Sequence, residues 1–266
     1  MILNKNLVMD YKNNGVVVLR NIVTNQWLEQ LSIGIKKNFE NPSQYKCVYE
    51  QKEEKELFFD DYCNWKRIKE YKNFLFHSNI PIIAAQLMQS QKVNLFHEHV
   101  LIKEPGCIKK TPWHQDQPYY CVNGKDNCSL WIPLDSISKN ICPEFICKSH
   151  KWEKQFLPTK FVGKSYDHQD KEFEKIPDID NKREDYDIVS WSLEPGDLIA
   201  FNFSTVHGAP GNSSKNRRRA FSARFTGDDA TFTKRKGETS PPFPEVILNH
   251  GDKMDCPTFP RINISN

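Results

Sequence analysis

The run "NGVVVLRNIV", residues 14–23, is short, β-branched and apolar, and it follows an Asn-Gly turn signal. It predicts a buried strand. From Thr24 the period changes: Trp27, Leu28, Leu31, Ile35 and Phe39 recur at helical spacing until Pro42 stops the pattern. Two further helical stretches are expected, from Asn64 to His77 and from about Pro81 to Gln91. The N-terminal part, residues 24–91, should therefore be largely helical and amphipathic.

From Val93 the chain alternates instead. "KVNLFHEHVLIKEPG" has the period of a strand and stops at a Pro-Gly turn. "NCSLWIPLDSI", "EPGDLIAFNFSTVHGAPGN" and "RRRAFSARFTG" repeat that behaviour between turn clusters. Short strands separated by such turns predict a single, mainly β domain with flanking helices, a jelly-roll core over residues 93–230 and a tail over 231–266. Residues 151–190 are charged and aperiodic, as expected of a solvated surface loop or, more sharply, of a mobile cover over a site.

Charge and composition remove several classes. The 37 basic and 34 acidic residues nearly cancel, and the only dense basic cluster is Arg217, Arg218 and Arg219, so no nucleic-acid partner is expected. No run approaches the roughly 20 apolar residues of a membrane helix, and the opening residues carry no signal-peptide pattern. The expectation is a cytoplasmic protein with no membrane partner. Its eight cysteines show no CxxC spacing and should be reduced thiols.

The chemistry concentrates in "TPWHQDQPYY", residues 111–120. On a strand, His114 and Asp116 share a face while Gln115 turns away. A third ligand must come from elsewhere, and His207 in "FNFSTVHGAPGN" stands at a strand end beside a turn. Two histidines and one carboxylate on one face would leave three positions open on Fe(II). His97, His99, His150 and His168 compete, but Glu98 lies at the wrong parity for the first two, which favours a structural role for that pair. Eleven residues past His207, Arg218 shares a strand face with Ala220, Ser222 and Arg224. The two small residues leave room for a ligand beside Arg218, and a guanidinium fork matches a carboxylate.

These blocks, in this order, resemble the phytanoyl-CoA dioxygenase family of Fe(II)/2-oxoglutarate-dependent oxygenases, nearest to bacterial members like ectoine hydroxylase. "GVVVLRNIVTNQWLEQLSIGIKKNFENP" is similar to the family's strand-then-helix opening, and "VLIKEPG" with "TPWHQDQPYY" to its metal-binding centre. "CSLWIPLD" resembles the strand that follows, and "EPGDLIAFNFSTVHGAPGN" with "RRRAFS" the distal histidine and arginine block. "PPFPEVILNHGDKMDCPTFPRI" looks like its closing segment. "EFICKSHKW" departs from the family, with Cys147 and Lys148 where a Pro-Gly is usual.

The resemblance implies a double-stranded β-helix, the cupin-like jelly roll. It implies iron ligands His114, Asp116 and His207, and Arg218 on the distal carboxylate of 2-oxoglutarate. Trp131, Gln115 and Lys103 would lie near that co-substrate, with O2 as the other. The carboxylate at Asp116 argues for hydroxylation, because related halogenating enzymes lack it. Gln117, Tyr119 and Tyr120 beside the metal favour a small polar metabolite as substrate partner, with a CoA-linked lipid as the alternative. A non-catalytic jelly roll and a cupin-type enzyme independent of 2-oxoglutarate are the rivals from other classes.

Overall fold

The computed structural model describes residues 2–51, 54–157 and 173–264. Helix α1 (Lys5–Asn14) leads into β1 (Val16–Leu19), α2 (Asn25–Glu40), and a hairpin of β2 (Cys47–Gln51) and β3 (Glu54–Tyr62). Helices α3 (Lys69–His77) and α4 (Ile80–Met88) precede β4 (Val93–Lys103), β5 (Thr111–His114), β6 (Val122–Asn123) and β7 (Asn127–Pro133). Then come β8 (Glu144–Ile146), β9 (Ile188–Val189), β10 (Leu198–Phe201), β11 (His207–Ala209), β12 (Arg218–Thr226), β13 (Thr231–Phe232) and β14 (Arg261–Ile262).

The larger sheet runs β1-β10-β7-β12-β4-β3-β2, with β14 added on β4, and a second sheet runs β5-β11-β8-β9. The pairing given for these strands is antiparallel throughout. This is the expected jelly roll. Side-chain alternation divides the large sheet: Phe221, Ala223, Phe225, Val100, Ile102, Leu130 and Ile132 join a core with Leu31, Tyr71, Phe74 and Leu87 of the helices. The opposite face of the same strands looks toward the second sheet and sets Lys103, His97, His99, Arg218 and Arg224 among apolar residues such as Trp131, Ile199 and Phe201.

Three features differ from the sequence expectation. Helix α1 precedes the first strand, started by the Asn4 side chain on the Asn6 amide and ended by Gly15 at φ 77°. A Cβ at Gly15 would also collide with His150 and Thr205. Next, residues 24–91 are not simply helical, because β2 and β3 extend the main sheet beyond β4. Lastly, the described parts of 151–190 are packed rather than merely solvated. Phe156 and Ile179 form a buried cluster with Ile146 and Val206, and β9 pairs with β8. Residues 158–172, including His168, lie outside the described residues. No disulfide joins the cysteines, and no helix among the described residues is long and apolar enough to cross a membrane.

Glu98 faces the helical side of β4, as its parity predicts, and is fully buried. One carboxylate oxygen accepts from the Asn64 amide; the other has no hydrogen bond among the described residues. Burial pushes its carboxyl up to about 8. The folded chain thus holds a proton that the unfolded chain has already released, so stability is complete at acid pH and declines as pH rises from about 5 to 8. Glu98→Gln keeps the acceptor and is expected to remove that decline, read as urea midpoints at the two ends of the window. A slope that persists in the variant would belong to another group.

Candidate metal centre and cofactor pocket

His114 ends β5 and His207 begins β11; the two are direct cross-strand partners. Their ring centroids stand 4.2 Å apart. Each Nδ1 faces a backbone carbonyl two residues back, Pro112 at 2.7 Å and Thr205 at 2.9 Å. A carbonyl can only accept, so each Nδ1 carries the proton and each Nε2 presents a lone pair.

Asp116 reaches the same point by a different route from strand parity. The strand stops at His114, and Asp116 is the first residue of a turn into a short 3₁₀ helix, with φ −73° and ψ −39°. Its Oδ1 lies 3.7 Å from Nε2 of His114 and 4.0 Å from Nε2 of His207. The three donor atoms lie within 4.8 Å of one another.

The protonation states suit a cation. Burial lowers the pKa of His114, and that of His207 to about 3, so both rings are neutral at physiological pH. Burial alone would raise Asp116, but Arg224, His207 and His114 outweigh it and hold its carboxyl below the usual range. Two bare imidazole nitrogens and one carboxylate are what an Fe(II) site requires, and the donor set fits that metal.

Arg224 was not assigned a role from the sequence, although it shares the inward face with Arg218. Its Nε stands 3.5 Å from Oδ2 of Asp116, and Ser129 Oγ donates to the same oxygen at 3.3 Å. These contacts take one carboxylate oxygen and leave Oδ1 directed at the two imidazoles. Arg224→Met keeps the stem but removes the fork. Fe(II) affinity is then expected to fall by about 10–100-fold, measured by anaerobic metal titration. Unchanged affinity would mean that Asp116 holds its orientation unaided.

A cavity of about 270 Å³ opens from the triad between the sheets. At one end Arg218 and Lys103 are direct partners on β12 and β4, both almost fully buried. Arg218 donates to the Ile141 carbonyl, and Lys103 to the carbonyls of Lys109 at 2.6 Å and Pro210 at 3.0 Å. Neither has a carboxylate partner among the described residues. Burial and the neighbouring Arg218 lower Lys103 to about 6, and burial lowers Arg218 to about 10. At neutral pH Lys103 is therefore largely a neutral amine beside the Arg218 cation, and an arriving anion would favour its protonation, which fits a dicarboxylate co-substrate. Arg217 and Arg219 instead pair outside with Glu104 and Asp135.

Other expectations divide. Trp131, Tyr119, Tyr120 and Phe201 line the cavity. Gln115 does not. Its amide bridges the carbonyls of Lys154 and Ser204 and accepts from the Phe156 amide, so it ties loops together instead of meeting a co-substrate. Gln117 is likewise turned away, held by Val122, Gly124 and Asn127. His97 and His99, expected to be structural, both line the cavity. Ser149 supports the backbone of Ile146 and Val206, and His150 faces the Lys12 carbonyl.

The fold and this site together define a class: jelly-roll oxygenases that use non-haem iron and 2-oxoglutarate. Comparison with known proteins makes the assignment particular. Residues 11–220 match the phytanoyl-CoA dioxygenase (PhyH) family, and the chain belongs to that family. It is 23% identical to a probable phytanoyl-CoA dioxygenase of Caenorhabditis elegans, over 91% of this chain and 82% of that one. Its fold is similar to the carbocyclase SnoK from nogalamycin biosynthesis, with TM-score 0.76, 20% identity, and 98% and 97% of the two chains covered. It is also similar to EctD of S. alaskensis, solved with 2-oxoglutarate and 5-hydroxyectoine. There the TM-score is 0.69 and the identity 16%, with 94% and 85% of the chains covered.

Proposed function

We propose that the protein hydroxylates a small polar metabolite: substrate C–H, O2 and 2-oxoglutarate become C–OH, succinate and CO2. The observation that carries this reading is the shared cavity, with two bare Nε2 atoms and one carboxylate oxygen near one point and a buried arginine–lysine pair elsewhere on its wall. His114, Asp116 and His207 would hold ferrous iron, which when bound supplies the activation of O2 and couples it to decarboxylation.

The chain's own residues set the rest. Arg218 and Lys103 would hold the distal carboxylate of 2-oxoglutarate, and the Trp131 ring on the same cavity wall, opposite Ser222, would help fix its orientation. Phe145 stacks on His207 with ring planes 16° apart, and Phe201 packs on the same imidazole with centroids 4.6 Å apart. Both exclude water from that side of the ligand set. The carboxylate at Asp116 supports hydroxylation. The modest cavity favours a compact substrate over a long acyl chain, since pockets for drug-sized ligands run from about 300 Å³ upward, and Asp60, His97 and His99 on its largely apolar wall favour a polar one.

Anaerobic titration with Fe(II) and 2-oxoglutarate tests this reading. A weak visible metal-to-ligand band should form only with both present, and O2 should then yield succinate. A non-catalytic jelly roll would give neither, and a cupin-type enzyme would form no succinate.

A further inference from the structure

The β3–β4 wall of the cavity carries polar atoms that neither the metal triad nor the co-substrate end uses. The register sets its rows. Arg218, Lys103 and Phe58 form one row, Ala220, Leu101 and Asp60 the next, and Ser222, His99 and Tyr62 a third. His97 pairs with Arg224 at the metal end. Asp60 and Tyr62 thus lie two strands, or roughly 10 Å, to the side of the β12 residues. That places them beside the path from Arg218 to the iron ligands, where a second molecule would sit.

We propose that Asp60, His97 and His99 form the substrate subsite, and that it takes a hydrogen-bond-donating group, an amine or a hydroxyl, in preference to a carboxylate or phosphate. The inference rests on the oxygenase reading above and adds the class of group that reading leaves open. His97 is 2% exposed, and its Nε2 has no hydrogen-bond partner among the described residues. Its Nδ1 lies 3.3 Å from the Glu98 carbonyl, which can only accept, so the proton sits on Nδ1 and Nε2 keeps an unpaired lone pair on a residue that lines the cavity. Asp60 is 3% exposed. Its Oδ1 accepts from His99 Nε2 at 3.1 Å, its side chain also meets the Tyr49 phenol, and the residue lines the cavity.

The wall therefore carries one unpaired imidazole acceptor and, beside it, a carboxylate held by His99 and Tyr49. Native proteins seldom leave buried polar atoms unpaired, and such atoms in a cavity mark where a ligand supplies the missing donors. A carboxylate or phosphate would bring more acceptors against these and add repulsion from Asp60. Tyr62 meets both imidazoles edge-on, at 6.3 Å from His97 and 5.5 Å from His99, and so fixes their planes.

Equilibrium dialysis of the anaerobic holoenzyme, with Fe(II) and saturating 2-oxoglutarate, tests the idea on one skeleton: cyclohexylamine, cyclohexanol and cyclohexanecarboxylate. Formation of the iron–2-oxoglutarate band beforehand establishes the oxygenase reading separately. At least one donor probe is expected to bind about tenfold or more tighter than the carboxylate. Amine well ahead of alcohol identifies an ammonium; equality identifies a hydroxyl. His97→Phe and Asp60→Asn should each shrink the discrimination to within about threefold while retaining the band, and His97→Gln, which keeps an acceptor, should preserve more of it than His97→Phe. The proposal is overturned if the carboxylate binds as tightly as the donors, if neither donor binds, or if discrimination survives both the loss of the His97 acceptor and the loss of the Asp60 charge.

Discussion

Asp116→Ala is expected to abolish succinate formation, by more than about a hundredfold, beyond the 10–100-fold that follows from disturbing residues behind a metal ligand. The argument is geometric. Asp116 supplies the only carboxylate among the three donors, and its Oδ1 is the atom that faces both Nε2 nitrogens. Without it two neutral imidazoles remain, and Arg224 is left buried with no anion beside it. A stranded charge destabilises a fold as well as a site, by about 3–5 kcal/mol where a buried pair is broken. Asp116→Asn keeps the side-chain volume and separates the two effects. It should retain more of the thermal stability of the parent but still fail to form the iron–2-oxoglutarate band. Full turnover in either variant would remove Asp116 from the ligand set.

The sequence was informative where inward faces are apolar and uninformative where they are not. The first strand, α2 and the turn-bounded strands of the core declare themselves by period, because their buried sides are Val, Leu, Ile and Phe. The β2–β3 hairpin does not. Its described inward residues include Asp60 and Tyr62, and a strand that buries a carboxylate carries the pattern of a surface segment. The same cause misplaced His97 and His99, whose polar side turns to the cavity while Val100 and Ile102 face the helices. A site on the inner face of a sheet breaks the binary pattern at the positions that make it a site.

The metal centre shows a different limit. Parity brought His114 and Asp116 together on paper, but the backbone brings them together by ending the strand at one and turning at the other. Gln115 then spans Lys154, Ser204 and Phe156, a role that no local pattern encodes. Strand parity was sufficient for β12, where Arg218 and Arg224 both point inward and Arg219 outward. It placed Arg224 on the inward face as well, but parity carries no sign of the Asp116 carboxylate that gives this arginine its role.

That parity makes the sharpest comparison in the molecule, because three consecutive arginines occupy three different environments. Arg218→Ala is expected to raise the KM for 2-oxoglutarate by about 30-fold or more, since truncating one partner of a buried charge pair costs on the order of 2–5 kcal/mol. Arg217→Ala should change it by less than about twofold. Its guanidinium is 48% exposed and pairs with Glu104 at the surface, where an ion pair is worth about 0–1 kcal/mol. Arg219→Ala should leave the KM near the parent value but lower stability, because its guanidinium donates to both oxygens of Asp135 and to Ser32. Titration of succinate yield against 2-oxoglutarate for the three variants measures the first effect, and thermal unfolding measures the second. Equal KM changes for Arg217 and Arg218 would place the co-substrate carboxylate away from the inner face of β12. An increase confined to Arg218 would locate it beside Lys103, at the end of the cavity where the two buried basic side chains have no carboxylate partner among the described residues.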